Sequence, residues 1–158
     1  FSTGGISLVS PYRIEDLVFH ALDAGGGGLV TYEPGNVYVT RTSGSIQRGV
    51  DAVAEGETVN VEAKVFQRYD AGNKLLTVAF QNGPAVTREQ HPLNAGSTRL
   101  VVTGTPEGDS MLLQLRAGTG QLDIRLNSHP PGTFDVLGLN ADGGIYVCGG
   151  EGLSLIHI

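Results

Sequence analysis

Residues 45–63 read SIQRGVDAVAEGETVNVEA, and this stretch decides the fold. Its first part, residues 45–55, repeats apolar side chains at helical spacing. These side chains belong to Ile46, Val50, Val53 and Ala54. Ser45 suits the position that caps the start of a helix, and Gly56 suits the left-handed position after its end. The sequence therefore predicts an amphipathic helix over residues 45–55.

The residues after this helix follow a period of two, which is typical of a strand with one buried face. Over residues 58–66 the apolar side chains that share a face are Val59, Val61, Ala63 and Val65. Residues 69–73 predict a turn, and residues 75–80 predict a second strand that ends at an Asn-Gly-Pro turn. The pattern thus predicts a helix followed by short strands and tight turns.

The same stretch resembles the opening of pectin-lyase-like right-handed parallel β-helices. In that family a short helix of the SIQxAIDAAxxGDTVxVxxG kind covers the end of the solenoid, and the next strand begins the first rung. An amphipathic helix can cover an apolar cross-section that would otherwise aggregate. The resemblance implies a stack of short parallel strands. This chain carries Lys64 where the family usually has a glycine.

The residues that precede this stretch predict another helix and two short strands. Residues 11–23 carry apolar side chains at helical spacing, and Ala24 with the four glycines of residues 25–28 ends the predicted helix. Residues 29–32 and 37–40 then predict short strands around a Pro-Gly-Asn turn. Two arrangements remain open for them, a hairpin or two strands of stacked turns.

The second half of the chain contains regularly spaced β-prone runs. Its β-prone runs are residues 99–103, 110–116, 121–127, 133–137 and 144–148. Glycine-bearing turns separate them, and their starts lie about 11 residues apart, which is typical of a sandwich, a barrel or a solenoid. The polar residues 87–97, which precede these runs, are the best candidate for a domain boundary.

We therefore expect a mainly β protein, either parallel β-helix-like or sandwich-like, with stacked short strands and one or two capping α-helices. Residues 1–40 would form a helix and hairpin lead-in, residues 41–95 a β-helix entrance and residues 96–152 a small β module. Residues 153–158 (LSLIHI) match one frame of a transposon-based sequencing adapter and are interpreted as read-through. The alternative for them is a short apolar strand. Together with a start at Phe1, this indicates an internal piece of a longer protein.

Two further segments resemble the lead-in to haemolysin-type (RTX) calcium-binding repeats of bacterial extracellular proteins. They are residues 100–110 and 147–152. Such repeats follow GGxGxDxUx, in which glycines permit the turn and the aspartate and turn carbonyls hold Ca²⁺. The resemblance implies a partial calcium site at Asp109, Gly149, Gly150 and Gly152. The aspartate position of the motif is Ser154, so calcium is expected mainly in repeats beyond Gly152. The alternative for Asp109 is a turn residue that accepts hydrogen bonds from its own backbone.

Charge and composition exclude several other functions. Ten Lys and Arg against sixteen Asp and Glu give a net charge of −6, which repels phosphate backbones and argues against nucleic acid. No apolar run approaches the roughly 20 residues of a membrane-spanning helix. Cys148 is the single cysteine and is expected to line the core. His20, His91 and His129 lack a zinc-binding spacing, and Asp123 and Asp135 alone do not make a catalytic cluster.

The expected function is that of a structural or adhesive segment in a large secreted or surface-displayed bacterial repeat protein, stabilised by calcium through downstream repeats. Its expected partners are carbohydrate or a cell-surface protein. The alternative is a non-catalytic part of a β-helix carbohydrate-active enzyme, either a polysaccharide lyase or a hydrolase. A third possibility is a free-standing β-sandwich binding module over residues 96–152. No catalytic residue is predicted.

Overall fold

The computed structural model describes residues 10–24, 27–136, 139, 144–149 and, for the backbone, 155–157. This part of the chain is mainly β and contains two short helices. In chain order its elements are α1 (Pro11–Glu15), β1 (Asn36–Val39), α2 (Ile46–Ala52), β2 (Thr58–Val61), β3 (Tyr69–Gly72), β4 (Leu76–Phe80), β5 (Ala85–His91), β6 (Asn94–Thr103), β7 (Ser110–Arg116), β8 (Gln121–Leu126), β9 (Gly132–Asp135), β10 (Ile145–Cys148) and β11 (Leu155–His157). Neither helix is long and apolar enough to cross a membrane, as far as the described residues go.

The described strands form two mixed sheets. The six-stranded sheet has the order β1-β2-β4-β5-β6-β10, in which β4-β5 and β5-β6 are antiparallel and the other pairs are parallel. The five-stranded sheet has the order β11-β7-β8-β9-β3, in which β7-β8 and β8-β9 are antiparallel and the outer pairs are parallel. The chain therefore combines parallel stacking with two antiparallel meanders.

The parallel strands are stacked in register. Val37 of β1 lies beside Val59 of β2, and Val59 lies beside Val78 of β4. The chain passes from β2 in one sheet to β3 in the other and returns to the first sheet at β4. The chain passes between the sheets a second time, from β6 to β7. Strands β10 and β11 repeat this arrangement, since β10 pairs with β6 and β11 pairs with β7 at the same difference in residue number.

Both sheets contribute side chains to one apolar core. Val59, Val78 and Leu100 are buried on the six-stranded sheet, while Ile124 and Phe134 are buried on the five-stranded sheet. The burial pattern of β4 alternates along the strand, as expected when one face of a sheet packs inward. The two sheets are therefore layers around a shared interior.

Helix α2 packs against one end of this core. Its residues Ile46, Gly49 and Val50 are buried. A Cβ atom added to Gly49 would lie 2.7 Å from a methyl carbon of Val39 and 2.9 Å from one of Val59. Glycine is therefore required at this point of the helix, where β1 and β2 approach most closely. The predicted helix is confirmed as α2.

The local signals around α2 are partly confirmed. The Ser45 hydroxyl accepts a hydrogen bond from the Arg48 amide at 3.2 Å and so caps the helix. The helix ends at Ala52, earlier than predicted, because Val53 is extended. Gly56 has the expected left-handed conformation (φ +83°), but it lies in the turn before β2 rather than at the helix end.

The first predicted helix is wrong beyond its first turns. Helix α1 stops at Glu15, and Leu17 of the predicted apolar face is 84% exposed. The chain turns there because the buried side chains of Glu15 and His20 bond to each other, which draws residues 16–24 into a series of turns. Residues 29–32 form no strand, and β1 pairs in parallel with β2, so the hairpin alternative is also wrong.

The strands after α2 differ from the prediction in two places. Strand β2 ends at Val61 rather than at residue 66, and Lys64 follows it in the left-handed conformation (φ +70°). The predicted turn at residues 69–73 is mostly strand β3, because it pairs with β9 of the five-stranded sheet. The predicted strand over residues 75–80 is confirmed as β4.

The rhythm of the second half is confirmed, since its five β-prone runs correspond to β6, β7, β8, β9 and β10. The polar residues 87–97 hold most of β5, the turn and the start of β6, and both strands belong to the six-stranded sheet. The division into three segments and the read-through at residues 153–158 stay predictions. Residues 155–157 form strand β11 beside β7.

Candidate functional site

Asp109 organises the turn between β6 and β7. Its side chain is 4% exposed, and one carboxylate oxygen accepts a hydrogen bond from the Thr105 amide at 2.6 Å. The Thr105 hydroxyl donates to both oxygens, and the Asn127 side-chain amide donates to Oδ1 at 3.0 Å. These N–H and O–H donors occupy the carboxylate in the way the turn alternative expects.

The structure brings Asp109 and Gly149 to the same place. A Cβ atom added to Gly104 would lie 2.6 Å from the Asp109 carboxylate and 3.1 Å from the backbone of Gly149. The Gly104 amide also donates to the Cys148 carbonyl at 2.7 Å. Gly150 and Gly152, the other two residues of the proposed calcium site, lie outside the described residues. The calcium assignment therefore stays a prediction, and the described residues contain no group of three or more His, Cys, Asp or Glu side chains arranged to hold a metal ion.

Cys148 does not line the core, contrary to the prediction. Its side chain is exposed, and two of its neighbours on β10, Ile145 and Tyr146, are also exposed. The alternation of apolar residues along this strand indicated an inward position. The burial pattern of β10 shows that partial burial falls on Val147 instead.

Glu15 and His20 form a buried pair that resembles part of a catalytic site. Glu15 Oε1 lies 2.6 Å from His20 Nε2, and both side chains are at most 2% exposed. The Val30 amide donates to His20 Nδ1 at 3.2 Å, so Nδ1 is an acceptor and the ring proton is on Nε2, which donates to Glu15. Burial raises the pKa of Glu15 above its ordinary value, and the hydrogen bond from His20 opposes that shift.

This arrangement leaves His20 without a free nitrogen. A general base needs an accessible lone pair within reach of a substrate proton. Here Nδ1 is occupied by a backbone amide and Nε2 faces Glu15. The pair instead links α1 to the segment around Val30, and the Arg48 guanidinium adds a further link by donating to the carbonyls of Leu22 and Asp23.

Asp123 and Asp135 share the outer face of the five-stranded sheet. Asp123 lies opposite Thr133, and Asp135 lies opposite Gln121 one step along the same strands. Asp123 pairs with Arg116 at 3.0 Å and accepts a hydrogen bond from the Thr133 hydroxyl at 2.8 Å. The Asp123 carboxylate is thus held by these two side chains.

The same outer face carries a polar groove that the sequence did not indicate. Two adjoining pockets, one of about 320 Å³ and one of about 90 Å³, have Arg68, Arg125 and Pro131 in common. We call this surface the arginine groove. The first pocket is also lined by Asn127, Ser128, His129 and Pro130, and the second by Leu112, Gln114 and Asp123.

His129 closes one side of the arginine groove. Its ring lies 4.2 Å from that of Phe80 and 5.0 Å from that of Phe66, measured between centroids. Burial lowers the pKa of His129, so the ring is neutral near pH 7. The positive charge of the groove therefore comes from its two arginines.

Comparison with known proteins gives no relative for this chain. No family model matches it, and neither a curated protein nor a solved structure matches it significantly.

Proposed function

We propose that this chain is a structural and adhesive segment of a large secreted or surface-displayed bacterial repeat protein, built on a parallel β-helix-like stack. The observation that supports this most is the shared register of β1, β2 and β4, with α2 packed over the end of the core. Stacked strands of this kind bury a continuous core and present a long outer surface. The return of β10 and β11 to the sides of β6 and β7 follows the same principle.

The titratable groups of the described residues also favour a structural role. Both nitrogens of His20 are engaged, and Asp123 is bound by Arg116 and Thr133. Asp109 holds its own turn. Each of these groups therefore contributes to the stability of the fold through satisfied hydrogen bonds.

In this proposal, calcium binds to repeats that would follow Gly152. Each calcium ion in such repeats is shared between stacked turns, so a single partial copy would bind weakly. We propose that the ions rigidify those downstream turns and extend the stack that begins at α2. The turn held by Asp109 would then lie next to the first complete repeat.

The test uses the polypeptide encoded by the uninterrupted genomic reading frame past Gly152. Circular dichroism and thermal unfolding are followed while calcium is added to millimolar concentration. A calcium-dependent gain of β structure and of Tm is expected. If calcium changes neither the circular dichroism nor the Tm, the proposal of calcium-binding repeats after Gly152 is wrong. Cleavage of an acidic polysaccharide by the same protein, abolished by changing a rung aspartate outside the present chain, would instead favour the carbohydrate-active enzyme.

A further inference from the structure

Arg68 and Arg125 lie on either side of Pro131, the residue that precedes β9, on the outer face of the five-stranded sheet. Arg125 follows Ile124, which lies opposite Gly132, and Arg68 precedes Tyr69, which also lies beside Gly132. The register therefore places Pro131 between the two arginines. Since neighbouring strands are about 4.8 Å apart, the two arginine backbones are separated by about 10 Å.

Both guanidinium groups are available to a ligand. Their residues are exposed, and within the described part of the chain neither side chain has a hydrogen-bond or ion-pair partner. Asp123, the acidic side chain that lines the groove, pairs with Arg116. A chain of net charge −6 thus carries a local concentration of positive charge in this groove.

The geometry suits two carboxylates better than one small anion. A guanidinium presents a planar fork of donors that binds a carboxylate through two parallel hydrogen bonds. Side chains two positions apart on an extended peptide share a face and lie about 7 Å apart, so two such carboxylates can each meet one of the long arginine side chains, whose backbones are about 10 Å apart. Leu112, which lies opposite Arg125 on β7, offers an apolar contact beside them, and Gln114, Asn127 and Ser128 offer hydrogen bonds.

The composition of the groove favours a peptide over a sugar polymer. Sugar rings commonly pack on flat, exposed aromatic side chains, and no Phe, Tyr or Trp is among the described residues that line it. The one aromatic side chain there, His129, is held against Phe66 and Phe80.

We propose that Arg68 and Arg125 bind an acidic, extended segment of a partner protein by pairing with two of its carboxylates. This inference deepens the adhesive part of the proposed function and rests on it. The site would give electrostatic specificity and a salt-dependent association, as charged interface pairs do.

The test measures the fluorescence anisotropy of a labelled synthetic peptide of alternating Glu and Ser as the whole chain is added. The double variant R68Q/R125Q is expected to bind about tenfold more weakly, which corresponds to about 1.4 kcal/mol. The control R13Q removes an exposed arginine of α1 that does not line the groove. It should bind within about twofold of the original chain, since most of its effect is screened. Unchanged thermal unfolding of all variants confirms that they are folded.

Three results would overturn the inference. The first is the absence of binding to the Glu-Ser peptide at low salt. The second is an equal loss in R13Q and R68Q/R125Q, which would mean nonspecific attraction to any exposed arginine. The third is tighter, arginine-dependent binding of polygalacturonate, which would assign the groove to a polysaccharide. None of these involves calcium or the downstream repeats, so this inference can fail while the structural proposal stands.

Discussion

Replacing Lys64 with glycine should stabilise the protein. Lys64 follows β2 with φ +70°, and its side chain is exposed and makes no hydrogen bond within the described part of the chain. The left-handed conformation costs an L-amino acid about 1–2 kcal/mol. The greater freedom of glycine in the unfolded chain offsets about 0.5–1 kcal/mol of that gain. The expected net gain is therefore about 0.5–1 kcal/mol, or about 1–4 °C in Tm for a chain of this size.

Urea and thermal unfolding of K64G, K64A and E107G measure this effect. K64A removes the lysine side chain but keeps the Cβ atom, so its stability should stay close to that of the original chain. Glu107 is exposed in the β6–β7 turn and has no positive φ, so E107G should lose about 0.5–1 kcal/mol through unfolded-state entropy alone. A loss of stability in K64G comparable to that in E107G would refute the reasoning. Such a loss would mean that the left-handed turn carries no strain.

Three further changes test the core, the β6–β7 turn and the buried pair. Gly49→Ala should cost about 1–3 kcal/mol in urea unfolding, because its Cβ would collide with Val39 and Val59. Asp109→Ala should cost about 1–3 kcal/mol by leaving partly buried donors without their acceptor. The cost should be the same with and without calcium, and a calcium-dependent cost would support a metal site at Asp109. The raised pKa of Glu15 means that the folded state favours the protonated carboxyl. The contribution of Glu15 to stability should therefore be present below its ordinary pKa of 4.5, and it should be lost as the pH rises through the higher pKa of the folded state. In the variant Glu15→Gln, the urea midpoint should no longer show this pH dependence.

The local parts of the fold were predictable because each depends on neighbours in sequence. The stretch from Ser45 to Val61 contains its own cap, its own apolar face and the change of period that starts β2. Strands β7 and β8 alternate clearly between buried and exposed residues along most of their length. In these segments the local pattern and the tertiary environment agree, so a sequence-based prediction succeeds.

The errors occur where a distant contact overrides the local pattern. Helix α1 stops early because Glu15 bonds to His20, although the residues beyond it keep helical spacing. Strand β5 was missed because a charged residue, Arg88, takes an inward position that an apolar residue usually occupies. Its guanidinium donates to the carbonyl of Asp135 on the opposite sheet, and burial lowers its pKa. The polar and charged residues of this segment therefore led to its interpretation as a domain boundary.

The arginine groove could not be predicted at all. Arg68 and Arg125 lie far apart in the sequence and belong to no motif. They meet only because β9 pairs with β3 on one side and with β8 on the other. A site assembled by strand register carries no sequence signal until the order of the strands is known.

The order of the strands also bears on whether residues 96–152 could fold alone. Strand β6 pairs along most of its length with β5, and β9 pairs with β3, so the hydrogen bonds of both sheets connect this module to the residues before it. A module cut free at residue 96 would expose the backbone donors and acceptors of two strand edges, and each edge would need water or another chain as its partner. It would also leave Phe134 without the Tyr69 ring that packs edge-on against it, at 6.0 Å between centroids. The pairing therefore favours an interdependent body, in which the stack beneath α2 and the later strands stabilise each other.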